Sequence, residues 1–242
     1  MTKKYEFVPG DEITIAPGRT VKRIRALVTI AALGVSPGSL GGYIEREEQL
    51  SHLGNAWVFG SAQVSGDARV FDNAQVSGDA RVFGSAQVYD DADVSGNALV
   101  YSDADVSGNA WVSGNALVYG DAQVSGNAWV SGNARVFGSA QVSGNADVYG
   151  DAQVSGNAWV SGNAQVYSNA SIFWASKVGR ENGTLTVYMT KDGSLEVTCG
   201  CFRGSVDEFL AKSETEHDDR THLEYRLLIE VAHSRILGRS AT

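Results

Sequence analysis

From Ala56 to Ala170 every sixth residue of this chain is alanine, and the residue two places on is Val58, Val64, Val70 and so on to Val166 and then Ile172. The unit reads G-N-A-x-V-S, as in Gly126-Asn127-Ala128-Trp129-Val130-Ser131. In an extended segment successive side chains alternate between faces, so Ala and Val of each A-x-V point one way and x the other. Each unit is therefore a strand of about three residues with one buried face. The following Ser-Gly-Asn is turn chemistry, because Gly and Asn accept the positive φ of a sharp corner. So short a strand cannot build an ordinary sheet. Coiled so that successive turns stack, it pairs above and below and encloses a narrow core of Ala and Val.

Outside residues 51–173 the pattern changes. In residues 1–50, Tyr5-Val8, Glu12-Ile15 and Val21-Ile30 predict short strands between the turns Pro9-Gly10 and Pro17-Gly18, forming an N-terminal β cap. A cap is expected because an uncovered first coil exposes unpaired backbone groups. In residues 174–242, Thr184-Thr190 and Leu195-Cys199 flank Lys191-Asp192-Gly193-Ser194, a hairpin with a D-G turn. Ser205-Val206-Asp207-Glu208 reads as a capping box opening a helix to about Glu216. Thr221-His222-Leu223-Glu224 reads as a second, opening a helix to about Leu237 with Gly238 beyond it. In that helix Leu223, Leu227 and Val231, with Leu228, Ala232 and Ile236, form an apolar stripe. This end is a small α+β domain.

The repeat resembles the hexapeptide signature of left-handed parallel β-helices, as Val58-Phe59-Gly60-Ser61-Ala62-Gln63 shows. That resemblance implies the left hand, a triangular section and three hexapeptides per coil, hence about 6–7 coils and a prism roughly 32 Å long at about 4.8 Å per coil. The wider set Leu40-Gly41-Gly42-Tyr43-Ile44-Glu45, Leu50-Ser51-His52, the repeat and Gly200-Cys201-Phe202-Arg203-Gly204 resembles a group of phage- and prophage-encoded hexapeptide-repeat proteins labelled polymer-forming or transferase.

Acyltransferases similar in their repeat use a histidine base near a loop projecting from the coils. Here the histidines are His52, His217, His222 and His233, and none falls between Ala56 and Ala170. No insertion interrupts the coils, so a positioned base near neutral pH is missing there. An acyltransferase, kept as an alternative, would have to draw its base from an end, at His52 or His233. The same absence removes the three-histidine zinc site of the similar β-helix carbonic anhydrases. Cys199 and Cys201 lack further ligands at zinc spacing and read as two small core residues at a strand end. No catalytic residue, cofactor or metal is expected.

The net charge of −9 is uneven. Residues 51–171 carry three basic and eleven acidic groups, against seven and six in residues 1–50. The acidic prism disfavours nucleic acid, and its charge density is several-fold below that of DNA, at about one charge per 1.7 Å, so DNA mimicry is not favoured either. Two cysteines, no apolar run after Met1-Thr2-Lys3-Lys4 and no long apolar stretch suggest the host cytoplasm and no membrane.

An eighteen-residue coil sorts the outward residues into columns. One holds Gln63, Arg81, Leu99, Leu117, Arg135 and Gln153. Two residues on stand Ser65, Phe83, Tyr101, Tyr119, Phe137 and Ser155. Both are palindromic, with a shared centre near Gly108, as an antiparallel homodimer would require, with Asp79 and Asp151 offsetting the approach of Arg81 to the partner copy's Arg135. A trimer is the other self-assembly kept open. The candidate oligomer interface is Arg81, Phe83, Leu99, Tyr101, Leu117, Tyr119, Arg135 and Phe137. Another column holds Trp57, Gln75, Asp93, Trp111, Trp129, Asp147 and Gln165, with Asn55, Asn73, Asp91, Asn109, Asn127, Asn145 and Asn163 at its corner. Asp93, Trp111, Trp129 and Asp147 form the candidate partner surface, and the asparagines are expected to bond coil to coil. The functional expectation is a non-catalytic binding or scaffold protein that contacts a host protein, such as a component of host defence. A virion component and a small-molecule sponge are the further alternatives.

Overall fold

The computed structural model describes residues 3–16 and 18–238. Its centre is a parallel β-solenoid with three faces. One is a seven-stranded sheet from Trp57–Val58 to Gln165–Val166, and one a six-stranded sheet from Arg69–Val70 to Trp159–Val160. The third runs from Gln63–Val64 to Gln153–Val154 and continues into the N-terminal strands to make nine. Partners are eighteen residues apart, as in Gln63↔Arg81 and Arg81↔Leu99. Every Ala and Val of the repeat from Ala56 to Val166 is at most 1% exposed. The core is thus one dry column of small side chains, and its strands are held by backbone bonds to the coils above and below.

The corners explain the glycines. Gly108 has φ +65°, and a Cβ there would stand 2.9 Å from the Gly126 nitrogen on the next coil. Asp72, Asp90 and Ser102 occupy equivalent corners at φ 55°, 55° and 62°. The Asp90 carboxylate offsets its strain by accepting the Gly108 N–H at 3.0 Å. Beside the corners run two asparagine ladders. Asn109, Asn127, Asn145 and Asn163 bond amide to amide at 3.0–3.3 Å, as the sequence suggests. A second ladder, Asn97, Asn115, Asn133 and Asp151, was not anticipated. A carboxylate accepts but cannot donate, so Asp91 receives Asn73 at 3.1 Å and passes no bond on, and Asp151 ends its ladder likewise.

The N-terminal strands are Tyr5–Ala16, Arg19–Ala26 and Leu40–Ile44. Pro9-Gly10 is not the expected turn between two strands. It lies in an irregularity between Phe7 and Glu12 within one long strand. Arg23 pins this bulge, reaching Asp11 at 3.2 Å, the Gly41 and Gly60 carbonyls at 2.9 and 2.8 Å, and the Tyr43 hydroxyl at 2.7 Å. Pro17 of the second expected turn lies outside the described residues. Leu40–Ile44 joins the cap to the coils by parallel pairing with Gln63–Val64.

Lys4 is 3% exposed, and its ammonium donates to the Ala56 carbonyl at 2.7 Å. Burial lowers its pKa from 10.5 to about 8. Between pH 8 and 10 the unfolded chain therefore holds a proton on Lys4 that the folded chain has released, and stability gains as pH rises. Tyr5 and Cys199, both raised by burial, act in the opposite sense at the alkaline end. Subtracting the denaturation free energy of Lys4→Met from that of the wild type at each pH cancels them. The difference is expected to shift in favour of the wild type by on the order of 2 kcal/mol from pH 8 to 10. A flat difference would contradict it.

The C-terminal sheet is antiparallel in the order Ile172–Val178, Gly183–Met189, Leu195–Cys199, Phe202–Ser205. Strand alternation gives it two unlike faces. Leu185, Val187 and Val197 face the helices, whereas Tyr188 joins the solenoid core. The buried Thr186 and Thr198 meet the last coil: Thr186 Oγ1 accepts the Trp159 N–H at 3.1 Å, and Thr198 Oγ1 donates to the Trp159 carbonyl at 2.6 Å. Hydroxyls thus replace the missing next strand.

The first helix, Val206–Glu216, opens on the Ser205/Glu208 capping box as read. The second, Asp219–Leu237, starts earlier than expected. Its N-cap is Asp218, whose carboxylate accepts the Thr221 N–H at 2.8 Å, and Thr221 is buried in the first turn. Glu224 is no box partner; it accepts the Gly179 N–H at 3.1 Å. The apolar stripe is also corrected. The helix buries Tyr225, Ile229, Ala232 and Ile236, and leaves Leu223, Leu227 and Val231 outward.

Candidate functional site: two prism faces

On the nine-stranded face, Arg81, Leu99, Leu117 and Arg135 stand in register on neighbouring strands. Two residues on, Phe83, Tyr101, Tyr119 and Phe137 stack with centroids 4.9, 4.9 and 5.0 Å apart and planes within 5° of parallel. Coil spacing sets this separation. Each inner ring spends both faces on its neighbours, so the four rings and the two leucines are half-buried rather than exposed. The apolar patch is correspondingly smaller than the column suggests. Arg81 and Arg135 are exposed, and among the described residues neither is paired to Asp79 or Asp151. A second stack, Phe71 on Tyr89 at 4.9 Å, went unread, although the same eighteen-residue spacing would have found it.

On the seven-stranded face Trp57 is fully buried, its indole edge-on to Tyr5 at 6.2 Å and its N–H without a partner. The cap strand covers it, which the column alone does not reveal. Trp111 and Trp129 remain 48% and 44% exposed, stacked at 5.5 Å and 14°. Each indole leans toward the preceding coil and donates to a serine, Ser95 at 3.1 Å and Ser113 at 3.2 Å. The flanking aspartates are not equivalent. Trp111 leans over Asp93, one of whose oxygens is buried and unpartnered. Burial raises the Asp93 pKa above its ordinary value. Asp147 is paired with Lys191 at 3.1 Å. No local signal could place that hairpin lysine on a coil.

The end residues are committed elsewhere. His52 Nδ1 accepts the Lys4 N–H at 3.1 Å, Nε2 meets Glu47 at 2.8 Å, and the ring stacks on Tyr5 at 4.6 Å. Neither nitrogen is free to take a substrate proton. His233 is half-buried on the second helix and lines a shallow hollow with Ser205 and Asp207. Only one cysteine is packed as expected. Cys199 is half-buried with Sγ 3.8 Å from the Tyr225 hydroxyl, whereas Cys201 is exposed in the turn. The turn at Gly200 and Cys201, the first helix and Tyr225 of the second helix border a cleft of about 220 Å³, also lined by Cys199, Phe202, Phe209, Ser213 and His217, which the sequence did not suggest. Among the described residues no group of three or more His, Cys, Asp or Glu can hold a metal ion, and no helix is long and apolar enough to cross a membrane.

Three parallel faces wound around an Ala/Val column define a β-solenoid repeat protein. The YdcK β-solenoid repeat model matches the chain at residues 62–74, 74–90, 110–126, 122–136, 128–144 and 152–168, all within the coils. No curated protein matches the chain.

Proposed function

We propose that this is a non-catalytic binding protein whose rigid prism pairs with a second copy along the aromatic-ladder face and holds a partner protein on the tryptophan face. The Trp111/Trp129 pair carries this reading. Two stacked indoles nearly half exposed on a flat sheet, each tied to a serine, cannot fold away from water, and a partner that covers them recovers that apolar area. Tryptophan anchors on rigid elements are the residues that dominate protein interfaces. The palindromic order of Arg81-Leu99-Leu117-Arg135 supports antiparallel self-pairing, since a twofold contact sets a surface against itself. The likeness to phage-encoded repeat proteins directs the search to host proteins, including components of host defence.

One experiment with two variants tests both faces. Leu99→Asp/Tyr101→Asp is expected to halve the mass measured by light scattering. Trp111→Ala/Trp129→Ala is expected to keep that mass and weaken capture of the host partner by on the order of 100-fold. Unchanged mass in the first variant and undiminished capture in the second would reject the two faces respectively.

A further inference from the structure

The second helix, Asp219–Leu237, is apolar on two sides. Tyr225, Ile229, Ala232 and Ile236 pack on the C-terminal sheet. On the opposite side Leu223, Leu227 and Val231 are 44%, 50% and 45% exposed. Spaced by four, they form one continuous ridge rather than scattered surface residues. Beside the ridge lie Arg226 and Glu230, both exposed and, among the described residues, in no ion pair. On the ridge's other flank Glu224 is taken by the Gly179 N–H, and Arg235 is folded back 5.9 Å over the Phe173 ring, leaving Arg220.

We infer that this ridge packs against the same ridge of a second copy, the two helices crossing antiparallel at Leu227. Ridges of residues four apart interlock with their like at a crossing near −50°, which confines contact to about two turns. Leu223 to Val231 fills that length. In such a crossing Leu223 meets the partner copy's Val231, Leu227 meets itself, and Arg226 meets the partner copy's Glu230 twice over. Self-complementary charge on the near flank is what selects a second copy over an unrelated apolar partner. On the far flank Arg220 lies beyond the Leu223–Val231 contact length, so no like charges are forced together. The contact is independent of the prism faces and adds to any pairing there. A single helix crossing buries less than the roughly 1,200 Å² of a standard interface, so the association is weak and dissociates on dilution.

The test is sedimentation across a concentration series with charge variants. Arg226→Glu alone sets four acids face to face, and Glu230→Arg alone sets four bases. Each is expected to weaken self-association by on the order of tenfold. Mixing the two single variants restores both cross-pairs, as does the double variant Arg226→Glu/Glu230→Arg, so both are expected to associate as the wild type does. All of these changes lie on exposed positions of a helix whose buried face is untouched. Single variants that associate like the wild type, or a mixture no better than its components, would overturn the inference.

Discussion

Gly42→Ala is expected to destabilise the protein by about 3 kcal/mol or more, although it adds one methyl group at an ordinary backbone conformation. The strand Leu40–Ile44 pairs in parallel with Gln63–Val64 and packs closely on the first coil. A Cβ on Gly42 would stand 2.6 Å from the Ala62 carbonyl oxygen, 2.6 Å from Val58 Cγ1 and 3.1 Å from the Phe59 carbonyl oxygen. The two oxygens belong to backbone that the coil ladder holds. The Ala62 carbonyl also accepts the Tyr43 N–H at 2.9 Å, so moving it breaks the bond that joins cap to prism. Gly41 is similarly confined, with Ile24 Cγ1 at 2.5 Å and the Val58 carbonyl oxygen at 2.7 Å. Gly183→Ala, where nothing lies within 4 Å, is the control and is expected to change stability by no more than about 0.5 kcal/mol. Urea denaturation of the two variants decides the point, and equal midpoints would show that the close approach is not what holds the cap.

At the other end, Thr186→Val/Thr198→Val is expected to cost about 2–5 kcal/mol while preserving shape. Valine matches threonine in volume but cannot bond. The Trp159 N–H and carbonyl, paired in the folded protein with Thr186 and Thr198, would then lose both partners at the last coil. An unmade bond at a buried peptide group costs its desolvation, which exceeds the modest net gain of making one. Thr198→Ser keeps the hydroxyl and is expected to lose only about 1 kcal/mol from the missing methyl. Hydrogen exchange at the coil end gives a second reading, since the double variant is expected to speed exchange in Trp159–Val160 before the central coils. If exchange there stays as slow as at Trp111–Val112, the hydroxyls do not terminate the stack.

The solenoid was legible in the sequence because its information is local and repeated. Each A-x-V states which side chains are buried, each Gly-Asn states a corner, and twenty repetitions remove ambiguity of register. The Ser205/Glu208 cap and the Asp192-Gly193 turn were legible for the same reason, since each acts within four residues. The column positions of Leu99, Tyr101, Trp111 and Trp129 followed from the period, but their accessibility did not. Tyr119 and its neighbours point outward yet are half-buried, because rings one coil apart stack on one another.

What the sequence determined by itself is the wound prism, its Ala/Val core and the columns on its faces, because nearest-neighbour physics repeated along a chain needs no distant contact. Only the tertiary structure decided that Trp57 is sealed under Tyr5, that Lys191 reaches Asp147, that His52 is locked between Lys4 and Glu47, and that the last helix turns Leu223, Leu227 and Val231 outward. Each depends on segments far apart in the chain, where packing chooses among faces that local pattern leaves equivalent.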